Sequence, residues 1–187
     1  MIPRHYFDIE VLGGEAGGGL PLPVVGSVLM KILHGAFRHM PGKFALAFPG
    51  KSVFSIIRVF AGDHADLAAL VAAVEDHPKI RDYSRLGFPR VVPVDFGGPW
   101  VECRRFRIPT RSSDRHEGAP LRAKRLAQAE EGKLPYFHMT SASNGSGFGL
   151  YLEIVRHPTH PAGAEDCNPD SYGLSRKTKR TVLPDLK

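Results

Sequence analysis

Cysteine is scarce in this chain. Of 187 residues only Cys103 and Cys167 carry thiols, too few for a disulfide framework and without the CxxC spacing of a redox or zinc motif. Reduced thiols in the cytosol are the simple expectation. Long uncharged apolar runs are absent too, and the opening MIPRHYFDIEV alternates like a strand instead of carrying the apolar centre of a signal peptide. A membrane span and a secretory leader are therefore not expected, and a soluble, cytoplasmic protein is. Acidic residues fall short of basic ones, 19 against 25, leaving a net charge of +6 and a pI near 9.5. This balance favours a polyanionic partner, with nucleic acid ahead of an anionic membrane surface. The chain shows no sequence repeat, no heptads and no block of like charge long enough for a disordered tail.

What is present reads as mixed strand and helix. From Arg4 to Leu12, Phe7, Ile9 and Val11 share one face and Tyr6, Asp8 and Glu10 the other, as a half-buried strand requires. Gly13 to Pro23 is too rich in glycine and proline for a packed element. It leads into Val28, Leu29, Ile32, Leu33 and Ala36, whose spacing predicts a helix over Val25 to His39. Two β-rich runs follow, Lys43 to Phe48 and Val53 to Phe60, split by a turn at Pro49-Gly50. Asp63 precedes Leu67, Leu70, Val71 and Val74, which predicts an N-capped helix to about Glu75, and a short strand is expected at Arg90 to Val94. Strand, helix, strand, strand, helix, strand is the order of a ferredoxin-like unit, whose open sheet is a common RNA-binding platform.

After Pro99 the texture changes. A strand is expected at Trp100 to Ile108, a basic stretch runs to Glu131 with a helix over Pro120 to Gln128, and two β-runs, Tyr136 to Ala142 and Phe148 to Arg156, flank a turn at Asn144-Gly145. The expected class is α+β: a ferredoxin-like (RRM-like) domain over residues 1–97 and a divergent α+β domain with a basic helix over 98–187.

Several residues could carry chemistry. His34 lies about 140° round the first helix from Leu29, off the apolar stripe and beside Lys31 and Arg38, two cations that favour an uncharged imidazole. An uncharged imidazole at a phosphate-binding surface suits a general base. Ser141, Ser143 and Ser146 surround a Gly-rich turn where hydroxyls can orient a nucleotide, and Tyr172 precedes Gly173 in the late segment SYGLSR. Arg105 and Arg107 share a strand face and Arg104 takes the other, a placement suited to guanine edges or phosphates. Arg111, Arg115, Arg122, Lys124 and Arg125 make the following segment basic. Taken singly, each of these residues has an ordinary use as turn chemistry or as a solvated face.

Other motifs fail. Gly50-Lys51-Ser52 resembles the end of a P-loop, but Ala45 stands where its first glycine must be. Pro21 and Pro23 separate the glycines at 13–19 from the helix, against a dinucleotide fold. His157, His160 and Cys167 lie in a proline-rich loop without zinc spacing or an obvious fourth ligand, so no metal is expected.

The segments HYFDIEVL, VLMKILHGAF, FALAFPG, CRRFR, SASNGSGFGLYLEIVR and SYGLSR follow one another in an order that resembles the type I-F CRISPR precursor-RNA processing endoribonucleases across nearly the whole chain. The resemblance implies a nuclease that binds a CRISPR repeat stem-loop and cuts at the 3′ base of its stem. His34 is then the general base for the ribose 2′-hydroxyl. Ser141, with Ser143 as its neighbouring candidate, holds the reactive ribose, and Tyr172 fixes the geometry. The resemblance further implies that Arg105 reads guanine, that Phe148 stacks beneath the terminal base pair, and that the basic segment from Arg111 to Arg125 lies along the stem. No metal or cofactor takes part, and the partners are the repeat RNA and the other subunits of the type I-F interference complex, the free protein being a monomer. Arg107 stands where the family usually has glutamine, and Gly149 where a basic residue is frequent. The competing reading is a catalytically inactive subunit that binds the hairpin of the CRISPR RNA.

Overall fold

The computed structural model describes residues 1–14, 19–109, 119–141, 145–164 and 167–186. Strand β1, His5–Val11, buries Phe7, Ile9 and Val11 on one face, as its alternation predicts. Helix α1, Leu22–His39, begins three residues earlier than its apolar spacing suggests. Proline in its first turn costs nothing because the leading N–H groups of a helix have no partner inside it, so the Pro-rich approach starts the helix instead of delaying it. Strands β2, Phe44–Ala47, and β3, Ile56–Ala61, are shorter than the β-rich runs around them. Their connection is not a tight turn at Pro49-Gly50. Ser55 folds it back instead, through its N–H and Oγ to the Ser52 carbonyl at 3.0 and 2.7 Å.

Helix α2, His64–Val74, follows Asp63, whose side chain makes no cap hydrogen bond. The N-cap expected there is a position without the bond. A short helix α3, Pro78–Tyr83, and strand β4, Ser84–Leu86, come next; a single helical turn and three strand residues are too short to show a period. Strand β5, Arg90–Val91, where the last strand was expected, pairs only with the far end of β1. The sheet order β2-β3-β1-β4, all antiparallel, is that of a ferredoxin-like fold.

The second sheet is built from β6 (Trp100–Phe106), β7 (Tyr136–Thr140), β8 (Gly147–His157) and β9 (Leu183–Pro184) in the order β7-β8-β6-β9. Helix α4, Ala119–Glu131, contains the expected Pro120 to Gln128. One hydrophobic cluster runs through both sheets. Phe137 of β7 packs on Phe48 and Phe54 at ring separations of 5.6 and 5.2 Å, and a Cβ at Gly26 of α1 would lie 3.0 Å from its ring. Ser27 accepts from the His138 N–H at 2.8 Å while donating to the Pro23 carbonyl at 2.6 Å, which fastens β7 to the first turns of α1.

The outer face of the first sheet is partly covered. Arg58, 4 % exposed, is held by both Asp8 oxygens at 2.6 and 2.8 Å, donates to the Leu186 carbonyl and lies 4.7 Å over the Tyr6 ring. The C-terminal residues thus cover the Arg58 end of that face, while Asp8, Glu10 and Ile56 line a cleft of about 580 Å³. No helix among the described residues is long and apolar enough to cross a membrane.

Candidate active site

Towards its C-terminal end α1 presents the half-exposed His34 to the segment that follows Ser171. Its Nδ1 lies 2.7 Å from the Ser171 carbonyl oxygen, which can only accept, so Nδ1 carries the proton and Nε2 of the neutral ring keeps its lone pair. The imidazole is stacked on the Tyr172 ring, with centroids 3.9 Å apart and planes 8° from parallel. These contacts fix the ring in position and in tautomer. Lys31 and Arg38, the helix neighbours singled out by spacing, are exposed beside it.

The backbone around Tyr172 is shaped by two neighbours. Asp170 Oδ1 accepts from the N–H groups of Tyr172 and Leu174 at 2.9 and 3.0 Å, and Gly173 adopts φ +75°. A Cβ at Gly173 would lie 2.8 Å from Leu46 Cγ and 3.1 Å from the Phe37 ring, while its carbonyl accepts from Leu46 N–H at 2.8 Å. Only glycine satisfies both the left-handed backbone and this close approach. Burial pushes the Tyr172 phenol above its usual range, opposed by the Arg105 guanidinium and reinforced by Asp170, so the hydroxyl keeps its proton at neutral pH.

Arg105 joins this pair to the β7–β8 hairpin. Its guanidinium carbon lies 5.3 Å from the centre of the Tyr172 ring and 5.6 Å from that of Phe148. Burial, and then the charge of Arg107, lowers its proton affinity. Phe148 pairs with Met139, two residues before Ser141, and the turn closes through Ser141 N–H to the Ser146 carbonyl and Gly145 N–H to the Ser141 carbonyl, both at 2.9 Å. Gly145 takes φ +66° in this loop, and Asn144, its partner in the expected turn, lies outside the described residues. His34, Tyr172, Arg105 and Phe148 are therefore contiguous, and Ser141 lies in the hairpin that carries Phe148. Ser143 lies outside the described residues.

From Arg105 a cleft of about 720 Å³ runs between the end of β6 and α4, lined by Arg105, Arg107, Ile108, Pro109, Leu121, Lys124, Arg125 and Gln128. Four of these are cations and none is acidic. Arg122 donates to the Pro109 carbonyl at 2.5 Å, and Arg125 to the Arg107 carbonyl at 3.3 Å while lying 4.0 Å over the Phe106 ring, so both moor α4 to the chain leaving β6. Arg107 and Lys124 stay exposed. Arg111 and Arg115 lie outside the described residues. In its neutral form, an imidazole with Nδ1 bound to the Ser171 carbonyl presents Nε2 to take a proton from a hydroxyl beside a phosphate, which the four cations of the cleft attract.

The sequence model of the CRISPR-associated protein (Cas_Csy4) family matches residues 6–184. The chain belongs to that family. Membership makes it an RNA-binding endoribonuclease of CRISPR RNA processing. No curated protein matches the sequence. A solved structure described as "Structure A of CRISPR endoribonuclease Cse3 bound to 19 nt RNA" is similar at 10% identity and a TM-score of 0.37, covering 97% of this chain and 100% of that one.

In this Cas_Csy4 chain Gly149 lies against the Tyr151 ring. A Cβ there would lie 2.5 Å from the Tyr151 ring, which stacks on Tyr136 at 4.8 Å, so a long basic side chain would displace that aromatic pair. Arg104 faces away from the cleft, as strand alternation predicts, and donates to Glu102 at 2.8 Å. Glu102 has no exposed surface, and it also accepts from Arg180 at 2.8 and 3.1 Å and from Ser175 Oγ at 2.5 Å. Burial pushes this carboxyl up, but the hydrogen bonds from Arg104, Arg180 and Ser175 outweigh it and hold the group at about 2.

Ser175 N–H donates in addition to the Cys103 carbonyl at 2.8 Å, so Glu102 and β6 together anchor the segment that carries Tyr172. Sequence reasoning missed Glu102, Asp170 and Ser175. Only Asp170 left a signal, an acidic residue two positions before a Tyr-Gly pair, where an Asx turn fits. Both cysteines are buried free thiols, and burial pushes Cys103 up to about 12. His160 meets the Trp100 ring edge-on at 4.5 Å, His157 faces Arg180 at 3.3 Å, and Cys167 Sγ donates to the Val182 carbonyl at 3.3 Å.

Proposed function

We propose that this protein cuts the stem-loop of a CRISPR repeat in precursor RNA at the 3′ base of the stem, without metal or cofactor. His34 Nε2 takes the proton from the 2′-hydroxyl of the nucleotide upstream of the scissile phosphate. The freed oxygen attacks phosphorus in line, the bond to the 5′-oxygen breaks, and that oxygen takes up a proton. The products are a 2′,3′-cyclic phosphate and a 5′-hydroxyl. Ser141, or Ser143 beside it, holds the ribose. Tyr172 holds the imidazole by stacking and offers a protonated phenol. Arg105 reads guanine at the base of the stem, Phe148 stacks beneath the terminal pair, and Arg107, Arg111, Arg115, Arg122, Lys124 and Arg125 line the stem's path.

The observation that carries this reading is the bond from His34 Nδ1 to the Ser171 carbonyl, which leaves Nε2 as the base. In the same proposal, residues 1–97 and 98–187 act as two domains. The protein is a cytoplasmic monomer when free, and it stays on the cut RNA as a subunit of the type I-F interference complex. Cleavage of the cognate hairpin in chelator, with product ends identified, tests the chemistry. The expected result is cutting that persists in chelator and stops, with binding intact, when the 2′-hydroxyl is replaced by hydrogen. Cutting that requires added magnesium, or that survives the 2′-deoxy substitution, overturns it.

A further inference from the structure

Between Ser175 and Arg180 the chain makes a short turn, Arg176-Lys177-Thr178-Lys179, in which three of four residues are cationic. The Arg176 N–H closes it onto the Lys179 carbonyl at 3.3 Å. Both ends are pinned to one buried carboxylate, since Ser175 Oγ donates to Glu102 Oε1 at 2.5 Å and Arg180 to Oε2 at 2.8 and 3.1 Å. The Thr181 N–H, at 2.9 Å from Ser175 Oγ, ties the two ends to each other. Glu102 thus neutralises Arg180 at the base of the turn, whereas Lys177 and Lys179 are exposed and have no salt-bridge partner among the described residues. Three like charges on a turn held rigid at both ends repel one another unless an anion lies between them.

The place of the turn says which anion. Ser175 pairs in parallel with Arg104, so the chain leaving Ser175 runs beside β6 towards Arg105 and the mouth of the basic cleft. It does so along the edge of β6 opposite β8. Tyr172, against the catalytic imidazole, is three residues upstream of Ser175. If the stem fills the cleft beside α4, the strand continuing past the scissile link leaves on the Tyr172 side, where Lys177 and Lys179 are the next cations and Arg176 donates to the Pro169 carbonyl at 3.1 Å.

We propose that the Arg176–Lys179 turn binds backbone phosphates of the single-stranded RNA on the 3′ side of the scissile link. This rests on the functional reading given above. Lysine ammonium groups act on phosphate as point charges and read no bases, so the site adds affinity for unprocessed precursor over cut product without adding sequence preference.

The test uses the full chain and three RNAs built on a type I-F CRISPR repeat hairpin, each with a 2′-deoxy residue at the cleavage position. One ends at the link, one carries a single-stranded 3′ extension, and one carries an extension of equal length on the 5′ side. Affinities of wild type and of the double variant Lys177→Ala, Lys179→Ala are measured across a salt series. Wild type should bind the 3′-extended RNA several-fold more tightly than the other two. The double variant should lose that advantage, and its slope of log affinity against log salt should fall by roughly 1.4 for two single-strand phosphates. Equal losses on all three RNAs, a loss confined to the 5′ extension, or no loss at all would each overturn the proposal. Wild-type protein that binds none of the three overturns the functional reading itself.

Discussion

At the scale of single residues, the proposed chemistry rests on one nitrogen lone pair. Because the Ser171 carbonyl can only accept, the tautomer of His34 is fixed by a backbone atom 137 positions away. His34→Ala should lower the single-turnover cleavage rate by about 10²- to 10⁴-fold, the range of general acid–base catalysis, and leave hairpin affinity nearly unchanged. A parallel loss of affinity would move His34 from the reaction to the binding surface. The role proposed for Arg105 is complementary. Arg105→Ala should weaken binding of the matched hairpin by about 1–3 kcal/mol and relax discrimination at one base pair, measured against a hairpin mismatched there. Equal losses on matched and mismatched RNA would show a contact with phosphate only. His34 was legible in the sequence because helix periodicity sets it off the apolar stripe. Glu102 was not, since a lone glutamate in a strand does not reveal that Arg180 and Ser175, more than seventy positions later, close on it.

At the scale of elements, the SYGLSR segment has no regular structure of its own and takes its shape from its surroundings. Asp170, Gly173 and the Glu102 cluster set the path on which Tyr172 meets His34. The folded-state carboxyl of Glu102 titrates at about 2 against an ordinary 4.5. A lowered value means that the folded protein holds this proton less tightly than the unfolded chain. The resulting stabilisation is complete above about pH 4.5 and is lost as pH falls through that value towards 2, on the order of 3 kcal/mol in all. Glu102→Gln should remove that acid dependence. At neutral pH it should cost towards the lower end of about 3–5 kcal/mol, because Arg104 and Arg180, 31% and 29% exposed, retain access to water. Chemical denaturation of both proteins between pH 2 and 7 checks this, and an unchanged wild-type-like slope in the variant would assign the acid sensitivity elsewhere.

At the scale of the whole molecule, the two sheets share one hydrophobic cluster, and Phe137 is its fully buried junction between α1, the chain after β2 and β7. Phe137→Ala should lower stability by about 3–5 kcal/mol. If the shared core makes one cooperative unit, far-ultraviolet and tyrosine signals should still report coincident unfolding transitions. Separate transitions would show that residues 1–97 and 98–187 unfold on their own. The strand-helix order of the first sheet was legible in advance because β1 and α1 are long enough to show their periods and β2 and β3 lie in apolar runs bounded by turn residues. The fourth strand was misplaced because β4 has three residues and its position depends on α3, a single helical turn.

Net charge, the periodicity of β1 and α1, and the order of short motifs are local properties, and the sequence by itself determined from them the α+β class, the ferredoxin-like order and the preference for a polyanion. Which nitrogen of His34 is free, which arginines are left for RNA and which are consumed by Glu102, and whether the first sheet offers an open face were decided only by tertiary structure. Each depends on contacts between groups far apart along the chain. A hydrogen bond or ion pair commits a side chain only once folding has brought its partner within about 3 Å.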